Sequence, residues 1–230
     1  MKKNLLLSLL VAASLSAGAQ TLEKKARIND DAEAVYHVNR ETRSKDGIFA
    51  VQNPKTETLW AQGNYKNDER TGNWNFFNKD FQLAMRYNYD QKKVAFINKD
   101  ELTNVTVKIL SNDNEVKNNA TAPLPICSMD YYLMTLANSL KSIEDDGKGV
   151  NTELVAHVGA DGKATYTVSF LINGKKTNEQ KLNVLGDKFA IDWVPSMYHN
   201  KPIDSEFIVY ANITGSQPEF DQTKRLRLDN

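Results

Sequence analysis

The sequence predicts a mainly β protein with α+β character: an N-terminal sheet of β-hairpin repeats, then a small α+β unit with one amphipathic helix on an antiparallel sheet. Three observations predict this. From residue 35 to 96, aromatic residues recur between turn-forming clusters of Asn, Asp, Lys and Gly, the pattern of successive short hairpins. One later segment, opening at Ser128, has the three-to-four-residue apolar spacing of a helix. Beyond it, apolar and polar residues alternate with period two in runs separated by glycine-containing turns.

Composition bounds the class. A chain of 230 residues with 40% apolar, 9% aromatic and 25% charged residues belongs with globular proteins of one or two domains, not with collagens, polytopic membrane proteins or wholly disordered chains. Basic and acidic residues number 29 each, so no positive excess exists to neutralise a phosphate backbone, and nucleic acid is not an expected partner. One cysteine and three histidines cannot build a disulfide framework or a multi-thiolate metal site, and no cofactor is expected.

Taken in order, Lys2 and Lys3, an apolar run over residues 5–11 and the small residues Ala17, Gly18 and Ala19 read as a signal peptide over residues 1–19. Its apolar part is shorter than the roughly 20 residues that span hydrocarbon, so stable membrane insertion is not expected after cleavage. Residues 21–34 are charged and weakly amphipathic and read as a lead-in. Hairpins follow, most sharply over residues 63–77, where a strand ends in a polar turn at residues 67–70, Gly72 opens the next strand, and Trp74 and Phe76 share a face. Residues 45–49 precede residues 70–74 by 25 positions, Tyr65 is answered by Tyr87 or Tyr89, and a third unit begins near Tyr89. Such hairpins cannot bury their apolar faces alone, so the second half of the chain is expected to cap them. Trp60, Tyr65, Trp74, Phe76, Phe77, Phe81 and Tyr87 then read as the packed side of a sheet; an exposed aromatic row stacking on glycan or peptide is the alternative.

Residues 102–110 alternate as a strand, and the polar residues 111–121 read as a loop that ends the first domain near residue 120. Ser128 is placed to cap a helix carrying Met129, Tyr132, Leu133, Leu136, Leu140 and Ile143 on one face. Strands are expected over residues 153–158, 164–172 and 177–185, the last two joined by Asn173-Gly174. Cys127 reads as a packing residue. His37, His157 and His199 fall in separate segments and read as surface or turn positions. Residues 142–153 imitate a calcium loop only in their glycine and final glutamate, with serine in the first position. The organisation is therefore 1–19 signal peptide, 20–120 hairpin repeats, 121–215 α+β domain and 216–230 polar tail.

Gly63, Tyr65, Gly72, Trp74 and Phe77, with Gly47, Phe49 and Tyr87 matching less fully, resemble the MORN-repeat variant of bacterial exported proteins, some of which carry an antitoxin label. That resemblance implies hairpins lying side by side in an elongated sheet, about 60 residues long in sequence. Trp193, Pro195, Lys201 and Pro202, with the strand over residues 206–213, are similar to the end of the TonB C-terminal domain, although Asn200 stands where that family has glycine. This second resemblance implies recognition of an extended peptide added to a sheet edge, the final strand being the expected edge. The function expected is a non-enzymatic binding or scaffolding protein exported to the periplasm or outer face of a bacterial envelope, with a protein or peptide partner. The alternatives are a membrane-anchored TonB-type energy transducer, disfavoured by a cleaved leader and by six scattered prolines, and an envelope hydrolase with an acidic pair.

Overall fold

The computed structural model describes residues 21–140, 150–173, 175–184, 189–214, 217–220 and 227–228. The expected signal peptide, Ile143, most of the calcium-like stretch and Gly174 lie outside the described residues.

Seven strands, each antiparallel to the next, make the first sheet: β1 (Thr21–Asn29), β2 (Ala32–Asn39), β3 (Lys45–Gln52), β4 (Leu59–Lys66), β5 (Glu69–Phe77), β6 (Leu83–Asn88) and β7 (Lys93–Ile97). The turn chemistry is local. Asn67 and Asp68, with φ of 50° and 67°, form the two-residue β4–β5 connection, where the right-handed strand twist demands two left-handed residues. Residues 21–29, expected as a lead-in, form a regular nine-residue strand paired along its length with β2. Most of β1 is exposed on both faces, so it carries no apolar alternation from which a strand could be read.

Alternation puts Phe49, Val51, Tyr65, Trp74, Phe76 and Tyr87 on one buried face. Gly63 is required there. A Cβ at that position would stand 2.2 Å from the indole of Trp74, whose Nε1 donates to the Asn64 carbonyl at 3.2 Å. The 25-residue repeat also has a structural counterpart. Gly47 and Gly72 both have positive φ, 103° and 63°, and each is followed two residues later by a buried aromatic, Phe49 or Trp74. Each is preceded by a cation over aromatic rings: Lys45 lies 5.0 Å from the Tyr65 ring, and Arg70 5.5 Å from that of Tyr89. Tyr89 rather than Tyr87 therefore answers Tyr65.

The chain leaves this sheet through a short 3-10 turn at Lys99–Leu102. It continues through β8 (Val105–Ile109), α1 (Asn114–Asn119), β9 (Leu124–Pro125), α2 (Met129–Ser139), β10 (Val150–Val158), β11 (Ala164–Ile172), β12 (Lys175–Lys176) and β13 (Gln180–Leu182). Then come β14 (Trp193–Val194), β15 (Ser196–Tyr198), β16 (Lys201–Ile203), β17 (Ser205–Thr214), β18 (Gln217–Phe220) and β19 (Arg227–Leu228). The second sheet has the order β12-β11-β10-β17-β8-β19, with β13 also on β11 and β18 on β17. The change of sheet thus falls between β7 and β8, ahead of residue 120, and the stretch expected as a polar tail supplies β18 and β19. Two further expectations are corrected. Within the expected loop 111–121, the Asp113 side chain accepts from the Glu115 amide at 2.8 Å and starts α1, a six-residue helix too short to show a period. Within the strand expected over residues 177–185 only β13 forms; β12 precedes it, and between them the Thr177 hydroxyl takes the place of a backbone acceptor for the Phe170 amide at 2.9 Å.

Helix α2 begins as expected, Ser128 Oγ accepting from the Tyr131 amide at 3.3 Å and Glu101 from the Met129 amide at 3.0 Å. It rests on the second sheet through Tyr132, which meets Trp193 and Phe207 edge-on at 5.8 Å each. Its opposite side is buried too: Tyr131 meets Trp60 at 6.3 Å and Phe189 at 5.9 Å. The helix is a middle layer between the sheets, and one continuous cluster of buried residues runs through all three layers. Cys127, just before the helix, is buried in it, and burial pushes its thiol pKa up.

Two outcomes follow from this packing. Gly63→Ala should destabilise the protein by about 1–3 kcal/mol or more in urea unfolding, because the indole has nowhere to go. The buried hydroxyls of Tyr131 and Tyr132 have no hydrogen-bond partner among the described residues. Tyr131→Phe and Tyr132→Phe should therefore be neutral or stabilising by up to about 1 kcal/mol, and a clear loss of thermal stability would contradict that placement.

Candidate functional site

Arg70 is the second residue of β5, opposite Tyr65, and its side chain turns into the buried face with 10% exposure. Its donors are spread over both halves of the chain. Nε donates to Tyr65 at 3.1 Å, Nη1 to Tyr89 and to Asp192 at 2.7 Å each, and Nη2 to the Ala190 carbonyl at 2.9 Å. Tyr89 donates in turn to Asp192 at 2.8 Å. The guanidinium lies 4.4 Å from the Phe189 ring and 5.1 Å from that of Trp74. Burial works against its charge, but Tyr89, Asp192 and Tyr65 outweigh burial and raise its pKa, so the group is charged at every physiological pH. Burial raises the Tyr89 pKa as well. Phe189 fills the space between Phe49, Trp74 and Tyr131. Directly after Asp192, β14 pairs with β9, and the Asp192 carbonyl accepts from the Ile126 amide at 2.8 Å.

Of the residues singled out in the sequence, Phe49, Tyr65, Trp74 and Tyr87 come together in this buried wall, and Gly63 lies under Trp74. Phe77 is only partly buried and pairs with Leu83 beyond the wall. Trp193 packs on the far side of α2 against Tyr132 and Phe207 and donates to Tyr166 at 3.0 Å. Pro195 lies beside the Gly162 turn, and Lys201 and Pro202 are exposed on the β15–β16 hairpin, whose turn is His199-Asn200 at φ of 46° and 60°. Asn200 thus takes the left-handed role that glycine would fill. The sequence names Tyr89 as a possible counterpart of Tyr65, whereas reading it missed the roles of Arg70, Phe189 and Asp192. The one available signal was the basic position that Lys45 and Arg70 share in the 25-residue repeat.

Two surfaces face solvent in the first sheet. The buried direction of Trp60, Tyr65, Trp74, Phe76 and Tyr87 removes the alternative of an exposed aromatic row, while Phe81, expected on the same packed side, instead stands 61% exposed in the β5–β6 turn at φ of 60°. The opposite face presents amides instead. Among the edges, the strand expected to be free, β17, lies between β10 and β8 and is closed on both sides. In the second sheet β11 is bordered by β12 and β13, and β8 by β19. The first sheet ends on β1 and β7, whose outer edges have no strand partner among the described residues. The carboxylates near the start of α2 are engaged by backbone amides: Asp130 accepts from the Lys79 amide in the β5–β6 turn at 2.8 Å, and Glu101, whose pKa is raised by burial, accepts from the Met129 amide.

No family model, curated protein or solved structure matches the chain. No helix among the described residues is long and apolar enough to cross a membrane.

Arg70→Lys should lose the fork that reaches Tyr65, Tyr89, Asp192 and Ala190 together, and cost nearly as much as Arg70→Ala. The expected loss is about 3 kcal/mol in chemical unfolding, below that of a fully buried pair because Asp192 is 46% exposed and can hydrate. Alkaline pH supplies an independent check. Burial raises the pKa of Tyr89, Tyr131 and Tyr132 and pushes that of Tyr166 up to about 12. An unfolded tyrosine ionises near about 10, so the stability held by these groups is full below that pH and is lost as pH rises towards their folded values. Tyrosinate absorbance should rise together with unfolding, not before it.

Proposed function

We propose that this chain is an exported, non-catalytic binding or scaffolding protein of a bacterial envelope that takes up an extended peptide by strand addition at β1. The open edge of that strand carries the reading. It is nine residues long, pairs among the described residues with β2, and is largely exposed on both faces, so over residues 21–26 an added strand would meet an edge with no strand partner among the described residues and solvent-facing side chains. By contrast β7 offers five residues. The sheet behind β1 is anchored through α2 and Arg70, which supplies a rigid template. The resemblances to exported hairpin-repeat proteins and to a peptide-binding C-terminal domain support the same reading, with the binding edge moved from β17 to β1.

Peptides selected from a random extended library should shift the amide resonances of residues 21–29 and leave β17 unmoved. Backbone donors alternate sides in pairs along an antiparallel strand, so of Lys24→Pro and Lys25→Pro only one removes an outward donor. That variant should lose peptide binding while keeping the β1–β2 pairing. Shifts confined to other surfaces would overturn the reading. For export, the mass of the protein recovered from its bacterium should begin at Gln20; an intact Met1 in the membrane fraction would favour the transducer instead.

A further inference from the structure

The solvent face of the first sheet has an unusual composition. Its register aligns Ala50, Gln62, Asn75, Arg86 and Phe96 across β3 to β7; beside them Ile48 pairs with Asn64 and, past the irregularity that sets Asn64 opposite Thr71, Asn73 pairs with Asn88 and Asn88 with Lys93. Neither row holds a carboxylate, in a chain with 29 acidic residues. Asparagine is depleted in strands, yet it occupies four of these ten positions, where it adds nothing to the buried core. The outward face of the second sheet is different: there Glu206 meets the Lys108 ammonium at 3.3 Å and the His157 ring at 3.5 Å.

Hydrogen bonds within the amide face fix which way its groups point. The Gln91 amide donates to Asn88 Oδ1 at 2.8 Å, so Asn88 must present Nδ2 to Asn73 Oδ1, at 2.9 Å. Arg86 Nε donates to Asn75 Oδ1 at 2.7 Å. The amide oxygens of Asn73, Asn75 and Asn88 are therefore all engaged as acceptors. What the face offers to a ligand is weighted towards N–H donors: Nδ2 of Asn73 and Asn75 and the outer nitrogens of Arg86, with the Lys93 ammonium beside them.

We propose that this face binds an acidic polysaccharide. The donors and two cations suit carboxylate or other acidic oxygens and hydroxyls, and the two rows themselves add no carboxylate that would repel them. Ile48 and Phe96, 53% and 43% exposed, border the amides and offer apolar contact to the C–H faces of sugar rings. With strands about 4.8 Å apart, the stripe from β3 to β7 runs roughly 20 Å, long enough for several sugar units. A peptide would use a sheet edge or side-chain pockets, and a nucleic acid would need a denser set of cations. The site is separate from the β1 edge and does not rest on peptide capture there.

The test is affinity electrophoresis of the full chain through gels containing polygalacturonate, neutral dextran or poly-glutamate. Polygalacturonate should retard the protein, less so at high salt, and the other two polymers should retard it much less. Asn73→Asp with Asn75→Asp should weaken retardation roughly tenfold or more by replacing donors with negative charge. Asn73→Thr with Asn75→Thr should keep or raise the melting temperature, since threonine suits strands, yet still weaken binding. The strand-edge proline variant should bind polygalacturonate normally, which separates failure here from failure at β1. The proposal is overturned if polygalacturonate does not retard the wild type, if dextran or poly-glutamate retards it equally, or if a folded Asn73/Asn75 variant binds unchanged.

Discussion

The buried guanidinium of Arg70 is the constraint that makes two sheets into one molecule. A meander of seven hairpin-linked strands has a single apolar face and no means of covering it. Arg70 reaches out of that face to Asp192 and Ala190, more than a hundred residues away in sequence, and holds Phe189 over the aromatic wall of Phe49 and Trp74. A lysine ammonium, three donors on a single atom, could not span all of those partners. The planar fork satisfies four, and its charge is compensated by oxygens from both halves of the chain.

Helix α2 completes the closure. Its first turn is tied to the first sheet through Glu101 and Asp130, and consecutive tyrosines, Tyr131 and Tyr132, address opposite sheets. Consecutive residues on a helix point about 100° apart, so adjacent large aromatics suit a helix enclosed by two layers better than one lying on a surface. Cys127 belongs to the same interior, where burial raises its thiol pKa.

Burying the aromatic residues directs attention to what remains outside. The final long strand is enclosed, the outer edges of β1 and β7 have no strand partner among the described residues, and the amides of β4 to β6 form a polar face unlike the charged outward face described for the second sheet. Both surfaces belong to an element whose inner side is locked by Arg70 and Phe189, and both are therefore held in fixed geometry.

Much of the architecture was legible because it is written in local chemistry. Glycine spacing, Asn-Asp turns, period-two alternation and the Ser128 cap act over a few residues, and they are enough to place the hairpins, α2, β10 and β11. Short or exposed elements were not legible: β1 has no buried face, α1 has too few turns, and Thr177 interrupts a strand with its own hydroxyl. The direction of the aromatic face, the closed edges of β17, the second buried side of α2 and the partners of Arg70 were decided only by tertiary structure. The physical reason is the same for each. A sequence shows which residues must leave water, but which distant segment covers them, and which backbone edges that cover leaves open, depends on how two sheets and a helix fill one interior.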